Sequence, residues 1–361
     1  GGTEKGSTLP DGNSFEQSQD SLRLDSGFIF DQSIADALNL NLRGSAMRQE
    51  HDHVNGLIEE TDTHESYLIE SSVSGYSDAT AWLVGVAFQS DRFDSEDFSE
   101  VSPRISMLYN PENWTVRGSY GQGFFAPTPF IEDIEDAGLS RLSPLENLEE
   151  EQATTASIDI SYLVDNAETS VTLFASDVDN VTELEVIPTF DIENNKQVRI
   201  VNAAGTSEIR GAELLLRYRW RDLKITGSYL YTDATQKSQS GTGRTPLILT
   251  PKHSAGAVVM WEEHGSHLVG FEAYYTGTQH LEGNPNRDKS DAYWHLGLLG
   301  QITIGKVSYF LNAENLLDIR QTEDESLLLP EQDPSGRWTT DIWSRNDGFT
   351  VNAGIRVQFG H

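Results

Sequence analysis

The sequence contains no cysteine, and that absence removes several chemistries at once. No disulfide framework, zinc–thiolate centre or thiol nucleophile is open to the chain. Methionine is scarce, with 3 in 361 residues. Long apolar runs are missing too. The longest, Ala81-Trp82-Leu83-Val84-Gly85-Val86-Ala87-Phe88, suits one β-strand. It falls far short of the roughly 18 residues that a membrane-spanning helix requires. Basic residues are few: 25 Lys and Arg stand against 57 Asp and Glu, a formal net charge of -32. Such a chain is poorly suited to neutralising phosphates, so no nucleic-acid partner is expected. Hydrophobic residues make up 37%, little for a chain of this length built around a dry core. The opening Gly1-Gly2-Thr3-Glu4-Lys5 lacks the basic stretch and apolar core of an export leader.

Catalytic signatures are equally sparse. The sequence holds no G-x-S-x-G, no H-E-x-x-H and no phosphate-cradling glycine loop. Gly121-Gln122-Gly123 lacks the strand–helix setting of a dinucleotide fingerprint. No enzymatic activity and no cofactor are therefore expected.

What is present is alternation. Val351, Ala353, Ile355, Val357 and Phe359 interleave with Asn352, Gly354, Arg356 and Gln358. Side chains on a strand point to opposite faces with period two, so such a segment has one apolar and one wet face. The same pattern places Leu38, Leu40 and Leu42 together, Trp82, Val84, Val86 and Phe88 together, and Leu214, Leu216, Tyr218 and Trp220 together. About fifteen such segments follow one another, with no helical period between them. Residues 1–21 read as loop.

Connectors alternate in length. Trp220-Arg221-Asp222-Leu223 and Ile304-Gly305-Lys306-Val307 read as tight turns, whereas 121–150, 232–250, 278–290 and 318–347 read as long polar loops. Tight turns on one rim and long loops on the other characterise an outer-membrane β-barrel. Tyr109, Trp114, Trp220, Trp261, Tyr275 and Trp294 stand near segment ends, where a barrel carries its aromatic girdles. The expected fold class is all-β, an antiparallel transmembrane β-barrel. A soluble acidic β-sandwich that binds a ligand is the competing architecture. The acidic runs, such as 91–97 and 131–136, suit attraction of cations, divalent bridging to lipopolysaccharide, or a surface adapted to salty water.

Several phrases, in order, resemble TonB-dependent outer-membrane receptors. They are Ser102-Pro103-Arg104, then Gly118-Ser119-Tyr120-Gly121-Gln122-Gly123-Phe124-Phe125-Ala126-Pro127-Thr128, then Leu148-Glu149-Glu150-Glu151 and Gly211-Ala212-Glu213. Thr250-Pro251-Lys252-His253, Asn312-Ala313-Glu314-Asn315-Leu316-Leu317-Asp318 and Gly354-Ile355-Arg356-Val357-Gln358-Phe359 complete the series. The resemblance is strong over 102–359 and weaker over 22–93. It implies a barrel of about 22 strands with an N-terminal plug. It also implies placement in the bacterial outer membrane, among lipid and lipopolysaccharide. The implied activity is import of a scarce bulky nutrient, such as an iron-siderophore, haem, cobalamin or other metal complex, driven by the TonB complex through the plug. A passive porin-like or structural barrel is the alternative.

Three departures stand out. No plug, TonB-contacting box or leader is read in this chain, and its strands are too few for the whole barrel. Residues 94–101 join two strand regions between which the family carries a further hairpin. Gly360-His361 follow the terminal aromatic residue. The whole of 1–361 is thus read as one partial barrel domain without a plug.

Candidate site residues fall into three sets. His51 and His53, two apart on a strand, share a face and suit a borderline metal, or form a solvated pair at a strand edge. Arg43, Arg104, Arg117, Glu213, Arg217, Lys224, Glu272, Glu314 and Arg356 occupy the wet face. In a barrel they line the lumen; in the family they would bond the plug or border the solute path, or they simply satisfy one another and water. Phe124, Phe125, Phe130, His280 and Trp338 lie where loops are expected and are read as ligand contacts or loop anchors.

Overall fold

The computed structural model describes the backbone of residues 3–8, 14–55, 58–93, 96–128, 145–187, 197–238, 243–263, 266–282, 284–330 and 339–359. Side chains are described over the same ranges except 3–8, 14–20, 51–55, 58–62, 186–187 and 197–198. Nineteen strands follow one another in these ranges, with a 3-10 turn at Gln321–Glu323 and no α-helix among the described residues. Fifteen of the strands have eight residues or more. Two compact units divide the chain. The first is Gly1–Met107, Ser119–Thr155 and Val178–Gly205; the second is Leu108–Gly118, Ala156–Asp177 and Thr206–His361.

In the first unit β2 (Ser14–Ala35), β3 (Leu38–Asn55), β4 (Ile58–Tyr76) and β5 (Thr80–Phe93) form an antiparallel meander. β1 (Thr3–Thr8) pairs with the start of β2. The loop expected over 1–21 is therefore corrected: it carries β1 and the first part of β2. Alternation is lost there because backbone hydrogen bonds hold a strand without apolar side chains wherever neither face meets lipid or core. β2, β3 and β4 have 22, 18 and 19 residues, whereas about 9–11 suffice to cross a bilayer. β6 (Glu96–Tyr109) follows β5 after residues 94–95, which lie outside the described residues. β6, β7 (Trp114–Phe125), β8 (Glu151–Val164) and β9 (Ala167–Asp179) have parts in both units, and β10 (Thr182–Ile187) with β11 (Gln197–Asn202) forms a separate hairpin.

In the second unit β12 (Ser207–Trp220), β13 (Leu223–Lys237), β15 (His253–Glu263), β16 (His267–Thr276), β17 (Tyr293–Ile304), β18 (Val307–Glu314) and β19 (Thr350–Val357) pair in sequence, all antiparallel. The short β14 (Arg244–Pro246) folds back on the end of β13. Loops expected from 121 and from 232 start later, because β7 runs to Phe125 and β13 to Lys237.

From β6 onward, short connectors (110–113, 165–166, 221–222, 264–266 and 305–306) alternate with long ones (126–150, 180–206, 238–252, 277–292 and 315–349), whereas β2 to β6 are joined by two or three residues at each turn (36–37, 56–57, 77–79 and 94–95). Asp165, Arg221 and Gly305 take φ of 47°, 53° and 62°, the left-handed geometry that matches the twist of two-residue hairpins.

The faces are inverted relative to a water-soluble fold. On β5, Trp82, Val84, Val86 and Phe88 are 41–49% exposed, and on β19 Ile355 is 65% exposed. The described buried apolar residues (Phe93, Phe98, Ala126, Leu148, Ile200, Ala234, Ala313, Leu329 and Trp343) lie instead near the loop-side ends of strands or in loops. A two-layer sandwich would bury the first set in its core, so that architecture is set aside. At about 25 cal/mol per Å² the exposed band is tolerable only against hydrocarbon. Small cross-strand fittings follow the same wall: Trp82 lies opposite Gly75, where an added Cβ would come within 2.6 Å of the indole. An aromatic ring folded over an opposing glycine pins register.

Candidate solute-contact site

Within the apolar band most charged residues lie on the opposite face, and there they largely meet one another. In the first unit the Arg104 guanidinium of β6 reaches the Glu70 carboxylate of β4 across Gly85, which lies between them on β5. In the second unit Arg217 pairs with Glu168 at 3.2 Å and Lys224 with Glu262 at 2.6 Å. Asp159, near Arg117, accepts hydroxyl hydrogen bonds from Ser161, Ser170 and Thr172. The Tyr274 hydroxyl donates to Glu272 at 3.2 Å. Arg43, Glu213 and Arg356 form no ion pair among the described residues.

Two cavities open in the second unit beside loop 315–349. One, of about 380 Å³, is lined by Glu314, Asn315, Arg345, Asp347, Gly348 and Thr350. The other, of about 210 Å³, is lined by Tyr274, Thr276, Tyr293, His295, Ile319 and Arg345. Strand register brings Tyr274 of β16 directly opposite His295 of β17, and Glu314 of β18 opposite Thr350 of β19. Arg345 lines both cavities and stands 3.5 Å from Glu314. His295 Nε2 is buried without a hydrogen-bond partner among the described residues. The surface thus offers a cation, carboxylates, an imidazole and two phenol rings, a set able to orient a polar organic solute.

The described parts of loop 315–349 are tied together by hydrogen bonds. Glu325, whose side chain is 1% exposed, accepts from Trp343 Nε1 at 2.7 Å, Gln321 Nε2 at 2.7 Å and Asn284 Nδ2 at 3.2 Å, and lies 3.3 Å from Arg287 Nε. Gln321, fully buried, also donates to the Asp341 carbonyl. The Asp318 carboxyl is held below the usual carboxylate range, first by the Phe349 N–H at 2.7 Å and then by Arg320. His280 joins loop 238–252 to its own loop through bridges to Ile248 and Lys289. Burial, followed by Lys289 and Lys252, pushes its imidazole below the ordinary value.

The remaining sequence candidates are placed as follows. Phe124 packs against the first unit's loop cluster of Phe98, Ala126, Leu148 and Ile200, while Phe125, on β7, is 50% exposed. Phe130 and Trp338 lie outside the described residues, as do the side chains of His51 and His53. No group of three or more metal-ligating side chains occurs among the described residues. Sequence reasoning missed Arg345, Glu325 and Gln321. They stand in a loop without period, and the only local hint is the polarity of Gln321-Thr322-Glu323-Asp324-Glu325.

The outward apolar band, the charged opposite face and the alternating connectors define an outer-membrane-type antiparallel β-barrel. The family model described as TonB dependent receptor-like, beta-barrel matches residues 11–316, and the chain belongs to that family. Solved structures agree. A mutant ferric enterobactin receptor (PfeA) from Pseudomonas aeruginosa matches with a TM-score of 0.72 at 15% identity, over 96% of this chain and 55% of that one. The FrpB iron transporter from Neisseria meningitidis (F5-1 variant) gives 0.70 at 13%, over 96% and 56%. The copper transporter OprC gives 0.68 at 14%, over 85% and 52%. The chain spans about half the length of these solved structures. No curated protein matches it by sequence.

Proposed function

We propose that the chain is the barrel portion of a TonB-dependent importer in a bacterial outer membrane, set among lipid and lipopolysaccharide. Its cargo is a scarce bulky metal complex, of the iron-siderophore, haem or cobalamin kind. In this reading a plug supplies the link to the TonB complex, and strands beyond those of this chain complete the wall, with 94–101 marking the place of a further hairpin. Family membership over residues 11–316 is the observation that carries the reading. The charged inner face and the cavities around Arg345 support it as a path that contacts solute.

The test is uptake. Cells expressing the protein and lacking their own receptors are given iron, haem or cobalamin complexes, with and without functional TonB. TonB-dependent accumulation of one complex is the expected result. Steady open conductance in planar bilayers with no TonB-dependent uptake would replace the importer with a passive channel.

A further inference from the structure

The two cavities beside loop 315–349 differ in the charge they present. The larger, of about 380 Å³, has the carboxylates of Glu314 and Asp347 in its wall. The smaller, of about 210 Å³, has the His295 imidazole, the Thr276 hydroxyl and the phenol rings of Tyr274 and Tyr293. Arg345 lines both, so an acidic half and a hydrogen-bond-donating half share one guanidinium. Two groups there lack the partners that burial or charge calls for. His295 Nε2 is buried without a hydrogen bond, and the Asp347 carboxylate has no ion pair among the described residues. Arg345 stands 3.5 Å from Glu314, longer than a hydrogen bond, and both side chains are exposed. Such a pair opens at little cost. The frame around these groups is held in place. Asn315, 2% exposed, donates to the carbonyls of Ile319 and Asp347 at 2.9 Å, and the Phe349 N–H donates to Asp318 at 2.7 Å. Gly348 lies between these anchors, where an added Cβ would come within 2.6 Å of Asp318 Oδ1.

We propose that the two cavities together bind the free amino-acid group of a solute, its ammonium against Asp347 and Glu314 and its carboxylate against Arg345 and His295. Such a zwitterion gives the buried imidazole nitrogen and the unpaired carboxylate a partner each. A purely anionic solute would face Asp347 and Glu314 unmatched, and a purely cationic one would leave His295 without a hydrogen bond. Size narrows the class further. The smaller cavity falls below the roughly 300 Å³ of a pocket that encloses a drug-sized molecule, so it admits a carboxylate-bearing arm and not a macrocycle. The solute is therefore a metal complex of an amino-acid-derived chelator that keeps one such group uncoordinated. That last step rests on the import reading; the zwitterion site does not.

The experiment is fluorescence polarisation with the full chain, folded in detergent, and three probes. The first is lysine carrying fluorescein on its side-chain amine, so that the amino-acid group is free. The second has its α-amine acetylated, and the third has its carboxyl converted to an amide. Saturable binding of the first is expected, weakened at least about tenfold by either block. Asp347→Asn should weaken the first and third probes and leave the second unchanged. His295→Phe should weaken the first and second and leave the third unchanged. A residue that only shaped the loop would affect all three alike. Heat-modifiable migration in gels establishes that each variant folds. No saturable binding of the first probe, or equal binding of all three, overturns the proposal and leaves TonB-dependent uptake to its own assay. The expected pattern in a protein that imports nothing keeps the site and removes the importer.

Discussion

The indole Nε1–H of Trp343 donates to the Glu325 carboxylate at 2.7 Å, and the same carboxylate lies 3.3 Å from Arg287 Nε. One buried acid thus ties the two arms of the 315–349 loop to loop 277–292. Removing one partner of a buried charge pair costs about 3–5 kcal/mol, because the other charge stays desolvated. Glu325→Ala should therefore release both loops. Trp343→Phe removes one of several donors and should cost about 1 kcal/mol. Limited proteolysis should show rapid cleavage within 315–349 for Glu325→Ala, with heat-modifiable gel migration of the strand wall preserved.

Val86 and Ala87 are neighbours on β5 with opposite surroundings: Val86 belongs to the exposed apolar band, and Ala87 pairs with Glu70 on the charged face. Val86→Arg places a charge against hydrocarbon and should cost about 2–4 kcal/mol near the midplane. Ala87→Arg, beside Glu70, should change stability little. Urea titration of folding into lipid vesicles compares the two, and equal costs would contradict the face assignment.

His280 gives a pH dependence with a defined sign. Its folded-state pKa lies below the ordinary value of 6.5, first through burial and then through Lys289 and Lys252. The neutral ring is thus favoured in the folded loop. Stability from this group is complete above the unfolded-state pKa and is lost as pH falls through 6.5 toward the lower folded value. Protease susceptibility of loops 238–252 and 277–292 should rise as pH is lowered through that window. His280→Gln should flatten this part of the response.

Arg345 is 60% exposed at its side chain and lines both cavities. Its ion pair with Glu314 is a weak contribution to folding, of about 0–1 kcal/mol. Arg345→Ala should therefore leave folding intact and weaken retention of whichever metal complex the uptake assay identifies. Equal binding by the folded variant would remove these cavities from the solute path.

Most of the wall was legible in the sequence because period two is imposed by strand geometry and by lipid on one side. Val84, Val86, Ile355 and the turn at Arg221-Asp222 all follow from it. The strand at Ser14–Asp20 was not, because backbone pairing alone holds a strand and its polar residues carry no alternation. Phe124 was legible as an aromatic near a loop, but the cluster it packs against includes Ile200, on a hairpin 70-odd residues away. The Glu325 network joins residues 284, 287, 321 and 343, and long-range hydrogen bonds of that kind leave no local pattern.

The absence of native cysteine permits the most direct test of the central claim. Single cysteines placed in turn at positions 82–89 of β5, in protein reconstituted into lipid vesicles, are exposed to a membrane-impermeant thiol reagent. Positions 83, 85, 87 and 89 should label while 82, 84, 86 and 88 stay protected, a strict period of two set by water on one side and hydrocarbon on the other. Labelling of 82, 84, 86 and 88 as fast as their neighbours would mean that no lipid covers that face, and the barrel account would fail.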